Sequence, residues 1–123
     1  MGNDNPAYDL ELREPDEGYH IVEPKEDELF IDIDNDIQYI NFLEMIELFE
    51  RHIQNKIQYE IKNSKTKDHK HIYVKWSMEI ESVQERIMLQ AILGSDNKKE
   101  ALSFLRLING IEKPILFFEK EEE

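Results

Sequence analysis

The chain has 123 residues, no cysteine, and 28 acidic against 15 basic residues, for a net charge of −13. That length fits one domain with a self-sufficient core, and the missing cysteines exclude disulfide frameworks, thiolate metal sites and a cysteine nucleophile. The acidic total argues against a nonspecific duplex-DNA binder, whose affinity comes from neutralising phosphates, and no apolar run is long enough to span a bilayer.

Residues 1–27 hold three of the four prolines and many acids. They read as an acidic N-terminal arm, partly extended. Its opening is polar and acidic, unlike a secretory signal, so a cytoplasmic protein is expected, in the host cytosol if the chain is phage-encoded. Two pieces of the arm alternate, Tyr8 to Arg13 and Tyr19 to Val22. A proline follows each closely, so both are expected at most as edge strands. A single α+β domain is expected over 28–120, with a charged tail at 121–123.

Glu28 to Asp34 alternates as a strand, with Leu29, Ile31 and Ile33 on one face and Phe30, Asp32 and Asp34 on the other. Asn35 or Asp36 then caps a helix running to about His52. Ile40, Leu43, Ile46 with Met45, Phe49 and Ile53 recur at helical spacing and predict its buried stripe. Ile57 to Ile61 and His69 to Trp76 alternate as two strands of a long hairpin, joined by the polar loop 63–70. Met78 to Gly110 reads as helical with a break. Val83, Ile87 and Ala91 mark the first piece, and Gly94 ends it in a left-handed cap. Ser95 or Asp96 caps the second piece, where Leu102, Leu105 and Ile108 predict the stripe. Pro114 precedes a last strand, Ile115 to Glu119, whose flat edge is a candidate for pairing with a second copy. The order predicts a ferredoxin-like or RRM-like βαββαβ fold. Its first and third strands would be neighbours in an antiparallel sheet, with helices on one face.

On the open face of that sheet, Phe30, Asp32 and Asp34 would adjoin His71, Tyr73 and Lys75. Two acids so close repel, and each raises the other's pKa. Hard oxygen ligands of this kind suit Mg²⁺ or Mn²⁺. Residues 62–75 reverse the local charge, with five lysines and one aspartate, so Lys65, Lys67 and Ser64 are candidates for holding phosphates beside the acids. Arg106, within the second helical piece, is a candidate partner of the acids.

Here the chain resembles the archaeo-eukaryotic primase and primase-polymerase superfamily, in a minimal form. The resemblance rests on Phe30-Ile31-Asp32-Ile33-Asp34, on Ser64 through His71, and on Phe117-Phe118-Glu119. It implies an RRM-like core in which Asp32, Asp34 and Glu119 bind Mg²⁺ or Mn²⁺ and His71 contacts nucleotide phosphate. Ser64 would shape the phosphate loop. It also implies a nucleotide or single-stranded nucleic acid as ligand, with a place in phage or plasmid replication. Nucleotidyl transfer would then be carried by Asp32, Asp34 and His71. The alternative is a non-catalytic interaction protein whose acidic surface binds a basic protein partner or mimics nucleic acid. Whether the chain is an enzyme stays open at this point.

Overall fold

The computed structural model describes residues 17–63 and 69–120, with Glu119 and Lys120 described by their backbone alone. The expected strand Tyr8 to Arg13 and the tail 121–123 lie outside the described residues. The elements run β1 Tyr19–Val22, β2 Glu28–Ile33, α1 Asp36–Ile53, β3 Gln58–Asn63, β4 Lys70–Lys75, α2 Val83–Ile92, α3 Asn97–Ile108 and β5 Phe117–Lys120. This is an α+β chain with antiparallel sheets. None of the described helices is long and apolar enough to cross a membrane.

β2, β4 and β3 form a three-stranded antiparallel sheet in that order. The expected central pairing is present, with Phe30 opposite Tyr73 and Asp32 opposite His71. The last strand departs from the ferredoxin-like order. β5 pairs with β1 in a separate two-stranded ribbon, Val22 opposite Phe117. The reason is that the outer edge of β2 is already satisfied. The Phe30 N–H donates to Gln90 Oε1 at 2.8 Å and the Asp32 N–H to Ser95 Oγ at 2.9 Å. Lys99 Nζ donates to the Phe30 carbonyl at 2.9 Å and the Asp96 N–H to the Asp32 carbonyl at 2.8 Å. Side chains and backbone of the α2–α3 corner thus occupy the place of a fourth strand, as buried strand edges require some partner.

The sheet is covered on both faces, which corrects the expectation of helices on one face and an open face opposite. Leu29, Ile31, Ile33, Ile72 and Val74 pack with Phe42 and Ile46 of α1 and with Leu89 and Leu93 of α2. On the other face, Phe30 and Tyr73 are buried with Ile87, Ile115 and Phe117. Phe117 stacks on Phe30 with ring centroids 4.7 Å apart. β5 therefore lies over the sheet, and the aromatic residues read as an open face are its second core. One edge of β5 is paired with β1 along Phe117–Lys120.

Helix boundaries follow their caps. Asn35 caps α1, its side chain accepting from the Gln38 N–H. Ser82 caps α2, so the first helical piece begins at Val83 and not near Met78. Asp96 caps α3, accepting from the Lys99 N–H. Gly94 takes φ +91°, the left-handed turn that separates α2 from α3. Two stripes differ from their expected positions. In α1 the buried line is Tyr39, Phe42, Ile46, Phe49 and Ile53, while Ile40 is exposed. In α3 the buried residues are Glu100 and Ser103, with Leu107 packed partly beneath, while Leu105 and Ile108 face outward.

Candidate functional site

Where β2 ends, the acids meet the α2–α3 corner. Asp32 is the fifth residue of the strand and Asp34 follows it. β4 runs alongside and contributes the histidines. His69 Nδ1 lies 3.0 Å from Asp34 Oδ1 and His71 Nε2 lies 3.9 Å from Asp32 Oδ1. The His71 ring is sandwiched against Phe117, with centroids 3.8 Å apart. From the other side comes Asp96, whose backbone N–H holds the Asp32 carbonyl. A side-chain hydrogen bond joins Asp34 to Asp96.

The electrostatics follow from this crowding. Burial, then the neighbouring Asp34 carboxylate, push the Asp32 carboxyl up to about 6, against the opposing pull of Lys99. Asp34 is also raised, first by burial and next by a side-chain hydrogen bond to Asp96, in which the Asp34 carboxyl keeps its proton and donates it. A carboxyl pair sharing a hydrogen bond needs a proton, or a cation, between its oxygens. Lys99 is held differently. Its ammonium bridges the Phe30 carbonyl and Glu100 Oε2, each at 2.9 Å, and lies 4.7 Å from the Phe117 ring centre. Burial lowers its pKa, and Glu100 and Asp32 oppose that shift. Gln90 Nε2 donates to Glu100 Oε1 at 2.9 Å, which completes the buried network.

A cleft of about 350 Å³ opens at this corner. Asp32, His71 and Asp96 line it, together with Lys98, Lys99, Arg106 and the aromatic rings of Phe117 and Phe118. Acids and cations thus share one hollow with an aromatic side. Comparison with family models, with curated proteins and with solved structures finds no match to this chain. The chemistry of the corner is therefore argued from its residues alone.

Of the residues singled out in the sequence, Asp32, Asp34 and His71 are brought together. Ser64, Lys65 and Lys67 lie outside the described residues, as does the side chain of Glu119. Among the described residues, no three His, Asp or Glu side chains converge into a ready-made metal cage. Mg²⁺ asks for less, since it is commonly held by one or two carboxylates with water and substrate phosphates completing its shell. The Asp34–Asp96 hydrogen bond and the raised Asp32 mark carboxylates short of positive charge, and their hard oxygens fit such an ion.

Sequence reasoning missed Asp96, Lys98 and Lys99. One signal was legible. Lys98 and Lys99 fall in the first turn of α3, where the helix dipole disfavours cations. A pair of lysines there makes sense when acids stand opposite, as Asp32 does.

Proposed function

We propose that this chain binds a nucleotide together with a divalent cation in the cleft beside β2, as a minimal primase-like domain. The observation that carries the reading is the convergence of Asp32 and Asp96 with Lys98, Lys99 and Arg106 at one hollow, with Asp34 close enough to Asp32 to raise its pKa. Asp32 and Asp34 would hold Mg²⁺ or Mn²⁺, with Asp96 next to them. When bound, the cation would neutralise phosphate oxygens and the crowded carboxylates at once. Lys98 and Arg106 would take the remaining phosphate charge, and the positive end of α3 would add to theirs. Phe118, on the lining beside the buried Phe117, offers an apolar wall against which a base could rest.

His71 fits a different part than phosphate contact in this arrangement. Its ring is pressed between Asp32 and Phe117, so it orients the carboxylate. Nucleotidyl transfer would need a third metal-binding acid, which the resemblance assigns to Glu119. Binding alone needs only the residues gathered at the cleft.

The test is a calorimetric titration of Mn²⁺, then of ATP in its presence, on the parent chain and on Asp32→Asn/Asp34→Asn. Expected is ATP binding that depends on Mn²⁺ and is lost in the double variant. Equal ATP binding with and without Mn²⁺, or none in either chain, refutes the reading. In the second case the acids are a strand end, and the acidic surface becomes the feature to pursue with basic protein partners.

A further inference from the structure

β3 is the outer strand of the three-stranded sheet, and all six of its residues are exposed. Among the described residues no strand pairs with its far edge. Such an edge presents a row of N–H and C=O groups to any extended chain. Proteins commonly guard it with proline, a bulge or charged side chains, lysine above all. β3 has no proline, and its register with β4 runs without a bulge from Gln58 to Asn63. Its one lysine, Lys62, is matched by Glu60 on the same face. The opposite face carries Tyr59 and Ile61, 38% and 37% exposed at the margin of the core. Tyr59 meets Phe42 of α1 edge-on, with ring centroids 5.1 Å apart.

We infer that β3 pairs antiparallel with β3 of a second copy of this chain, about a two-fold axis at Ile61. The argument for a second copy is that the strand is complementary to itself. In that register Ile61 faces Ile61 of the second copy. Glu60 faces Lys62 of the second copy, and symmetry forms that pair twice. Registers that keep both α1 helices on one face differ by steps of two residues. A step either way sets Glu60 against Glu60, or Lys62 against Lys62, and like charges directly opposite are destabilising. The charges therefore select one register. The product is a six-stranded sheet, β2-β4-β3-β3-β4-β2, with an α1 from each copy flanking the new pairing. Tyr59 and Ile61 become continuous apolar surface beneath them.

The chain has no cysteine, so Ile61→Cys in the full chain reports the register directly. Mild oxidation is expected to give a covalent dimer from Ile61→Cys and little from Gln58→Cys, whose counterpart lies six residues along. Sedimentation of the parent chain is expected to show twice the monomer mass. Glu60→Lys and Lys62→Glu, each folded by circular dichroism, are expected to weaken the dimer at least about tenfold, because symmetry counts each like-charge pair twice. The double exchange restores it. A parent chain that stays monomeric up to its solubility limit overturns the inference. So does a dimer that both single exchanges leave intact, or equal crosslinking at the two cysteines. Protection from hydrogen exchange, in a monomer, of the alternate β3 amides that point away from β4 would assign the edge to another segment of this chain, and would also overturn it.

Discussion

Asp32→Asn is expected to stabilise the metal-free protein at neutral pH. The carboxyl is raised from 3.8 to about 6 in the fold, so the folded state binds its proton more tightly than the unfolded state. Between those two values the folded chain holds more protons, and stability falls as pH rises through the window. Above about pH 6 the whole penalty is present, and below about pH 4 it is gone. A shift of about two units corresponds to roughly 3 kcal/mol. The Asp32 side chain is 22% exposed, so about 1–2 kcal/mol is the expected gain after solvent screening. Asparagine keeps the shape of the side chain, and both backbone contacts of residue 32, to Ser95 and Asp96, are independent of the carboxylate. The assay is urea unfolding of both chains in chelator at pH 4, 5, 6 and 7.5. The stability difference should grow from near zero to its full value across that series. A destabilised Asp32→Asn at pH 7.5, or a difference that does not change with pH, would refute the crowding argument.

Two further outcomes follow from the packing. Gln90→Leu removes the acceptor of the Phe30 N–H and the donor to Glu100, both buried, and is expected to cost about 2–6 kcal/mol at roughly 1–3 per unsatisfied group; a loss under about 1 kcal/mol in urea unfolding would contradict the edge-capping role. Gly94→Ala is expected to cost about 1–2 kcal/mol from the left-handed backbone alone, because an added Cβ would sit 3.5 Å from the Gln38 carbonyl, an ordinary contact; a neutral change in thermal midpoint would argue against the strain.

The strands and caps were legible because their signals are local. Alternation around Ile31 and Ile72 places both strands, and Asn35 and Asp96, each one of two expected caps, announce helices by their own side-chain hydrogen bonds, whereas the Ser82 cap escapes the sequence reading, which starts its helix at Met78. The position of β5 was not legible. Ile115 to Glu119 is a short apolar run that reads as any buried strand does, and what diverts it is the satisfied edge of β2, far upstream in the chain. The buried face of α3 was hidden for a related reason. An apolar stripe at Leu102, Leu105 and Ile108 is the usual mark of a core-facing helix, yet α3 turns Lys99 inward to the Phe30 carbonyl of β2, and Glu100 follows to meet Lys99 and Gln90. The paired aspartates were visible as a motif, whereas their third neighbour, Asp96, looked only like a cap.

The same corner therefore closes the sheet and builds the site. A fourth strand on β2 would have satisfied its edge with backbone and left Asp32 in a plain ladder. A helical corner does it with Gln90, Ser95, Asp96 and Lys99, which carries charge to the strand end and leaves the cleft beside it. An isolated lysine buried there would be costly, and Lys99 is tolerated because Glu100 and the Phe30 carbonyl meet its ammonium. By contrast Asp32 is left under-neutralised, since burial and the repulsion of Asp34 outweigh Lys99 there. A fold that satisfies a buried lysine with two acceptors, yet leaves carboxylates beside it under-neutralised, concentrates its electrostatic strain at the cleft. Strain of that kind is expected at functional sites, and the proposed cation with its phosphate ligand would relieve it.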